Sequence, residues 1–118
     1  MQRIRLKRAY ASIEEDDGKR ILIDRVWPRG VTREKLALDG WLKGIAPSDA
    51  LRKWFGHDPQ RWLEFRRRYF DELESRPDDI AALRNMLKDG PVTLVYGARD
   101  TEHNNAVALK EFIERRSD

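Results

Sequence analysis

Polar and apolar residues alternate from Arg3 to Lys7, with Ile4 and Leu6 set against Arg3, Arg5 and Lys7. A period of two predicts a strand over Arg3–Tyr10 with one wet face. Its positive charges suit a sheet edge, where charge deters pairing with other chains. Two later stretches do not alternate. Ile21-Leu22-Ile23 and Val92-Thr93-Leu94-Val95-Tyr96 are β-favouring runs of the kind expected when both faces of a strand are covered. Between them the period lengthens. Thr32 can cap a short helix over Arg33–Leu38, ended by Asp39-Gly40. Ser48 can cap a helix carrying Leu51, Trp54 and Phe55 on one face. Gly56-His57-Asp58-Pro59 closes that helix and opens another, whose Trp62, Phe65, Tyr69 and Leu73 follow steps of three and four. Pro77 starts a helix with Ile80, Leu83 and Leu87, stopped by Lys88-Asp89-Gly90-Pro91.

After the second buried run, Asp100 or Thr101 is placed to cap a last helix with Ala106, Leu109 and Ile113 inward, fading into a polar tail through Arg116. Two segments resist assignment. Trp41–Ala46 reads as irregular or a very short strand, because Gly44 weakens either choice. Ser12–Gly18, with Glu14, Glu15, Asp16 and Asp17, reads as a mobile acidic connection lacking the spacing of a calcium loop. Buried strands followed by loops and helices require crossover connections and therefore parallel pairing. The expected fold is a single α/β domain over 1–118: a small, mainly parallel sheet of three to four strands covered by helices, with a helical insertion between the two buried strands.

Composition narrows the chemistry. The 118 residues hold no cysteine, which excludes disulfides, thiol catalysis and zinc–thiolate sites. A net charge of +3 is mild for a nucleic-acid binder. No apolar run approaches the roughly 20 residues of a membrane span, and the N-terminus lacks the apolar core of a signal peptide. A soluble cytoplasmic protein without membrane partners is expected. Nothing in the residues indicates an oligomeric state.

In open α/β sheets, ligands bind beyond the carboxyl ends of the strands. The first exit carries Asp24, Arg25, Arg29 and the Gly30 turn; the second carries Gly97, Arg99, Asp100, His103, Asn104 and Asn105 beside a helix start. If the strands are parallel neighbours, both exits face one crevice. Arg25, Arg29 and Arg99 could grip an anion bidentately, with Gly97 and Asn104 close to it. Arg25 and Arg29 have an equally good structural reading, an ion pair locking the turn. His103 is the candidate acid–base group, with Asp24 or Asp100 orienting it; the plain alternative is that it completes a helix start. His57, in a helix connector, reads as structural. His103, Asp100 and Glu102 fall short of a metal ligand set. The glycines match neither a Walker loop nor a dinucleotide fingerprint, so nucleotide binding has no motif support and the cofactor, if any, is unknown. A second candidate surface is Arg61, Arg66, Arg67 and Arg68, suited to nucleic acid or protein. Asp71, Glu72 and Glu74 are spaced to neutralise Arg67 and Arg68, and the interleaved aromatics keep core spacing. The four tryptophans read as core. A third possibility is a structural or regulatory protein without a pocket.

The block Asp24-Arg25-Val26-Trp27-Pro28-Arg29-Gly30, Trp41 with Lys43, Ala46-Pro47-Ser48, Leu51 through His57, and Val92–Tyr96 through Asp100 and His103-Asn104 strongly resemble the bacterial YeaO-like proteins, a family catalogued as domain of unknown function 488. The resemblance spans nearly the whole chain. It implies a small cytoplasmic α/β protein and no established activity. Some members carry a winged-helix regulator label, which the strand order here does not support. Longer relatives place a Cys-His-Arg element at the late exit; here Gly97–Asn105 lacks both thiols, so rhodanese-like chemistry is not expected.

Overall fold

The computed structural model describes residues 4–115; Arg3 of the first expected strand and Arg116 of the expected tail lie outside them. Four strands, β1 (Ile4–Arg8), β2 (Lys19–Leu22), β3 (Gly40–Trp41) and β4 (Val92–Tyr96), form one sheet in the order β1-β4-β2-β3. Every pairing is parallel. The four-residue α1 (Arg33–Leu36) precedes β3, and α2 (Asp49–Phe55), α3 (Trp62–Glu74) and α4 (Pro77–Lys88) complete the insertion; α5 (Asn105–Arg115) follows β4. The expected α/β fold is what forms. β1 is an edge strand, and β4, buried along its whole length, is central with β2 beside it.

The two faces of the sheet are covered unequally. Ile4, Ile21, Ile23, Val92, Leu94 and Tyr96 pack in one cluster with Phe55, Phe65, Tyr69, Leu83 and Leu109 from the long helices. On the other face Leu22 and Val95 meet Leu36 of α1, with Trp27, Val31, Leu38 and Trp41 packed around them. This explains the unbroken run at Ile21–Ile23: alternate residues enter different cores. The four tryptophans are only partly buried, packed on the margins of these clusters.

Several ends follow the local chemistry expected of them. Thr32 accepts the Lys35 N–H, and Ser48 accepts that of Leu51. Asp58 caps a single 3-10 turn (Pro59–Arg61) that leads into α3. α1 stops at Leu36, two residues early, because Ala37 turns left-handed at φ 46°. Trp41–Ala46 begins as the end of two-residue β3 and continues as a 3-10 turn over Lys43–Ile45.

Three expectations are corrected. Ser12–Gly18 is not a loose connection. Asp17 is buried, and its carboxylate meets Lys7 Nζ at 2.8 Å and Arg20 Nη1 at 2.7 Å. Its carbonyl accepts Thr93 Oγ1 at 2.7 Å. The register sets Arg5, Thr93 and Arg20 in one row across the sheet, so the acidic turn neutralises charge that the sheet brings together. Lys7 also bonds Glu14, so the close trio of Glu14, Asp16 and Asp17 is already served by cations. Second, Asn104 caps α5, accepting the Val107 N–H at 3.0 Å, because the Asp100 carboxylate is spent on the N–H groups of Glu102 and His103 in the preceding turn. Third, Glu72 does not face Arg68. It points back to α2, accepting Ser48 N at 2.8 Å and Ser48 Oγ at 2.6 Å.

Candidate functional site

The exits of β2 and β4 meet because the strands are parallel neighbours. The Asp24 carboxylate spans the gap: Oδ2 accepts the Gly97 N–H at 2.9 Å, and Oδ1 accepts Asn105 Nδ2 at 2.9 Å. Gly97 lies close against this carboxylate. A Cβ there would lie 3.2 Å from Asp24 Oδ2. The Asp24 carbonyl accepts Trp41 Nε1 at 2.6 Å, and Trp41 packs edge-on against Trp27, whose own Nε1 bonds the Val31 carbonyl. The exit of β2 is therefore held from both sides of the sheet. Burial raises the Asp24 carboxyl above the ordinary carboxylate range, against the lowering effect of Asn105, the Gly97 N–H, His57 and Arg52.

Above this carboxylate lies a cleft of about 230 Å³. Its walls are apolar, from Val26, Ala46, Pro47, Phe55, Phe65 and Ala98; its polar lining is Asp24, Arg25, Arg52, His57, Asn104 and Asn105. Arg25 is loosely held. Its Nη2 reaches the Ala46 and Pro47 carbonyls at 3.5 and 3.4 Å, and Nε stands 3.7 Å from Asp49. That Nε is buried and has no hydrogen-bond partner. Charge-assisted bonds of this type close at about 2.7–2.9 Å, so these donors are underused. Arg52 shares Asp49, at 3.5 Å. His57 reaches the cleft from the α2–α3 connector, where Gly56 and His57 are both left-handed, at φ 53° and 57°. Histidine tolerates that region better than bulkier residues.

The structure thus brings together Asp24, Arg25, Gly97 and Asn104 from the expected set. Arg29 and Arg99 are exposed and do not line the cleft. Asp100 and His103 stand outside the lining as a pair: Nδ1 lies 2.9 Å from Oδ2, and the imidazole sits edge-on to Trp62. The Glu102 and His103 N–H groups, with the His103 ring, hold the Asp100 carboxyl below its usual range. Asn105, expected at the second exit, also lines the cleft; Arg52 and His57 are the residues that sequence reasoning did not place here. Their only signal was the break after α2, since connectors facing strand exits carry function more often than those at the opposite end.

The arginine face of α3 is internally engaged. Arg67 and Arg68 meet Glu64 at 2.7 Å, Arg67 also meets Asp71 at 3.2 Å, and Arg66 pairs with Glu111 on α5 at 2.7 Å. Arg61 bonds the Trp54 carbonyl, and Arg61 and Arg68 both lie over the Trp54 ring. Among the described residues no helix is long and apolar enough to cross a membrane.

An all-parallel four-stranded sheet, a helical insertion before its central strand, and a cleft at adjoining strand exits define a small α/β domain of the open-sheet type. The family model described as "Inactive DUF488-N3 subclade" matches residues 3–118, and the chain belongs to that family. It is 41% identical to Escherichia coli (strain K12) "Uncharacterized protein YeaO" over 110 residues, covering 93% of this chain and 96% of the relative. It is 37% identical to Mycobacterium tuberculosis (strain H37Rv) "Uncharacterized protein Rv3073c" over 114 residues, covering 97% and 96%. No solved structure matches the chain.

Proposed function

We propose that the cleft at the β2 and β4 exits binds a small anionic molecule, held first by Arg25 and supported by Arg52 and His57. The observation that carries this reading is the state of Arg25: a guanidinium in a cleft with a buried, unpartnered Nε and only long contacts to protein oxygens. Buried donors are normally satisfied; this one marks a side chain held only by long contacts, whose part-exposed guanidinium can turn to a carboxylate or phosphate oxygen. A volume of about 230 Å³ is below the roughly 300–1,000 Å³ of drug-sized sites, which favours a small ligand. Binding is preferred to catalysis for two reasons. His103 is turned to Asp100 and Trp62 rather than into the cleft, and the matching subclade is described as inactive.

Calorimetric titration with inorganic phosphate, sulfate and short-chain carboxylates tests the proposal. At least one is expected to bind, and Arg25→Ala is expected to weaken it at least tenfold, about 1.4 kcal/mol. Absence of binding, or binding indifferent to both Arg25→Ala and Arg52→Ala, overturns it.

A further inference from the structure

Resting on the anion-binding reading, we infer that the ligand is a small zwitterion: an anionic group meets Arg25, and an ammonium-type donor meets Asp24. The cleft is bipolar. Its lining holds the cations Arg25 and Arg52 with His57, and also the Asp24 carboxylate with Asn104 and Asn105. Asp24 differs from the carboxylates that this chain pairs with cations. Asp17, Glu64 and Glu72 each meet a cation within ion-pairing distance. Asp24 makes no such pair among the described residues, although it is withdrawn from water at a strand exit. Its protein partners are two neutral N–H donors, one per oxygen. A carboxylate has about four acceptor sites, so about two remain, and Asp24 lines the cleft. A charge withdrawn from water with its nearest basic groups, His57 and Arg52, outside ion-pairing distance is costly, and a ligand ammonium meets it directly.

The same geometry limits the ligand. Phe55, Phe65, Val26 and Pro47 wall the cleft with apolar surface, so a short hydrocarbon side group fits beside the two poles. A compact α-amino acid or aminoalkylphosphonate meets all three conditions. A dianion without a donor leaves Asp24 facing a second negative charge, and a simple amine leaves Arg25 unsatisfied.

The test is a matched titration of the full chain with apolar amino acids and aminoalkylphosphonates, each beside its counterpart lacking the amine. At least one zwitterion is expected to bind ten or more times tighter than its amine-free counterpart. Asp24→Asn is expected to erase that preference, bringing each zwitterion's affinity to that of its amine-free counterpart in the same variant; circular dichroism reports whether the variant folds. The wild-type ratio stands as evidence even where the variant does not fold. Equal affinity for each pair overturns this inference and leaves the anion site intact. Failure of both members, together with failure of phosphate and sulfate, overturns the anion site itself.

Discussion

The Asp24 carboxylate lies 2.9 Å from the Gly97 amide nitrogen, so the ends of β2 and β4 are joined by a side chain where the sheet's own ladder has stopped. Gly97→Ala places a methyl 3.2 Å from Asp24 Oδ2 and must push the carboxylate aside. Overpacking of this kind costs about 1–3 kcal/mol. Urea denaturation should show a loss in that range, together with weaker anion binding; an unchanged midpoint would show that the tie is dispensable.

Asp49 stands near both Arg25 and Arg52 at 3.7 and 3.5 Å, without the short geometry of a strong pair. Under the proposed function it is a weak internal competitor for the anion. Exposed pairs of this kind are worth about 0–1 kcal/mol. Asp49→Asn should therefore raise anion affinity by up to about fivefold with little change in stability. A drop in affinity on titration would refute the competitor role.

Trp41 Nε1 holds the Asp24 carbonyl at 2.6 Å from the far side of the sheet. Trp41→Phe keeps an aromatic ring against Trp27 and removes only the donor. The expected cost is about 1 kcal/mol, with amide shifts at Asp24 and Gly97 in heteronuclear NMR spectra. Shifts confined to Trp27 and its surroundings would argue against coupling to the site.

Asp17 is a buried, acid-sensitive carboxylate. Burial would raise its pKa, but bonds from Lys7, the Glu14 N–H and Arg20 outweigh this and hold it below the ordinary value. With a folded value below the unfolded value of about 3.9, its contribution is complete above that pH and is lost as pH falls through the folded value. Asp17→Asn should cost about 3 kcal/mol at neutral pH, as breaking a buried pair does. It should also flatten the stability curve below about pH 4. Denaturation midpoints from pH 2.5 to 7 decide this.

Glu64, under Arg67 and Arg68, has its carboxyl pulled down to about 2. Its NMR titration should show a midpoint near that value and move upward in high salt, since exposed pairs are screened. With its arginines occupied in this way, the α3 face should give no steeply salt-dependent binding to duplex DNA in a mobility-shift assay. A strong low-salt shift abolished by Arg67→Ala would restore that surface as a candidate.

Hydrophobic patterning was enough to reveal the buried strands at Ile21–Ile23 and Val92–Tyr96, the helical insertion between them, and the caps at Thr32, Ser48 and Asp58. These depend on residues a few positions apart, so periodicity and local hydrogen bonding decide them. It also placed Asp24, Arg25, Gly97 and Asn104 at strand exits, since each exit directly follows its strand. What only the tertiary structure decided depends on residues distant along the chain. Strand order made β2 and β4 neighbours and let Asp24 bond Gly97 and Asn105. Packing of α2 over the exits swung Arg52 and His57 to the cleft while leaving Arg29, Arg99 and His103 off its lining. The row of Arg5, Thr93 and Arg20 turned an acidic loop into a buried ion-pair anchor. Charges show no periodicity that reveals their partners; the sheet register and helix docking select them.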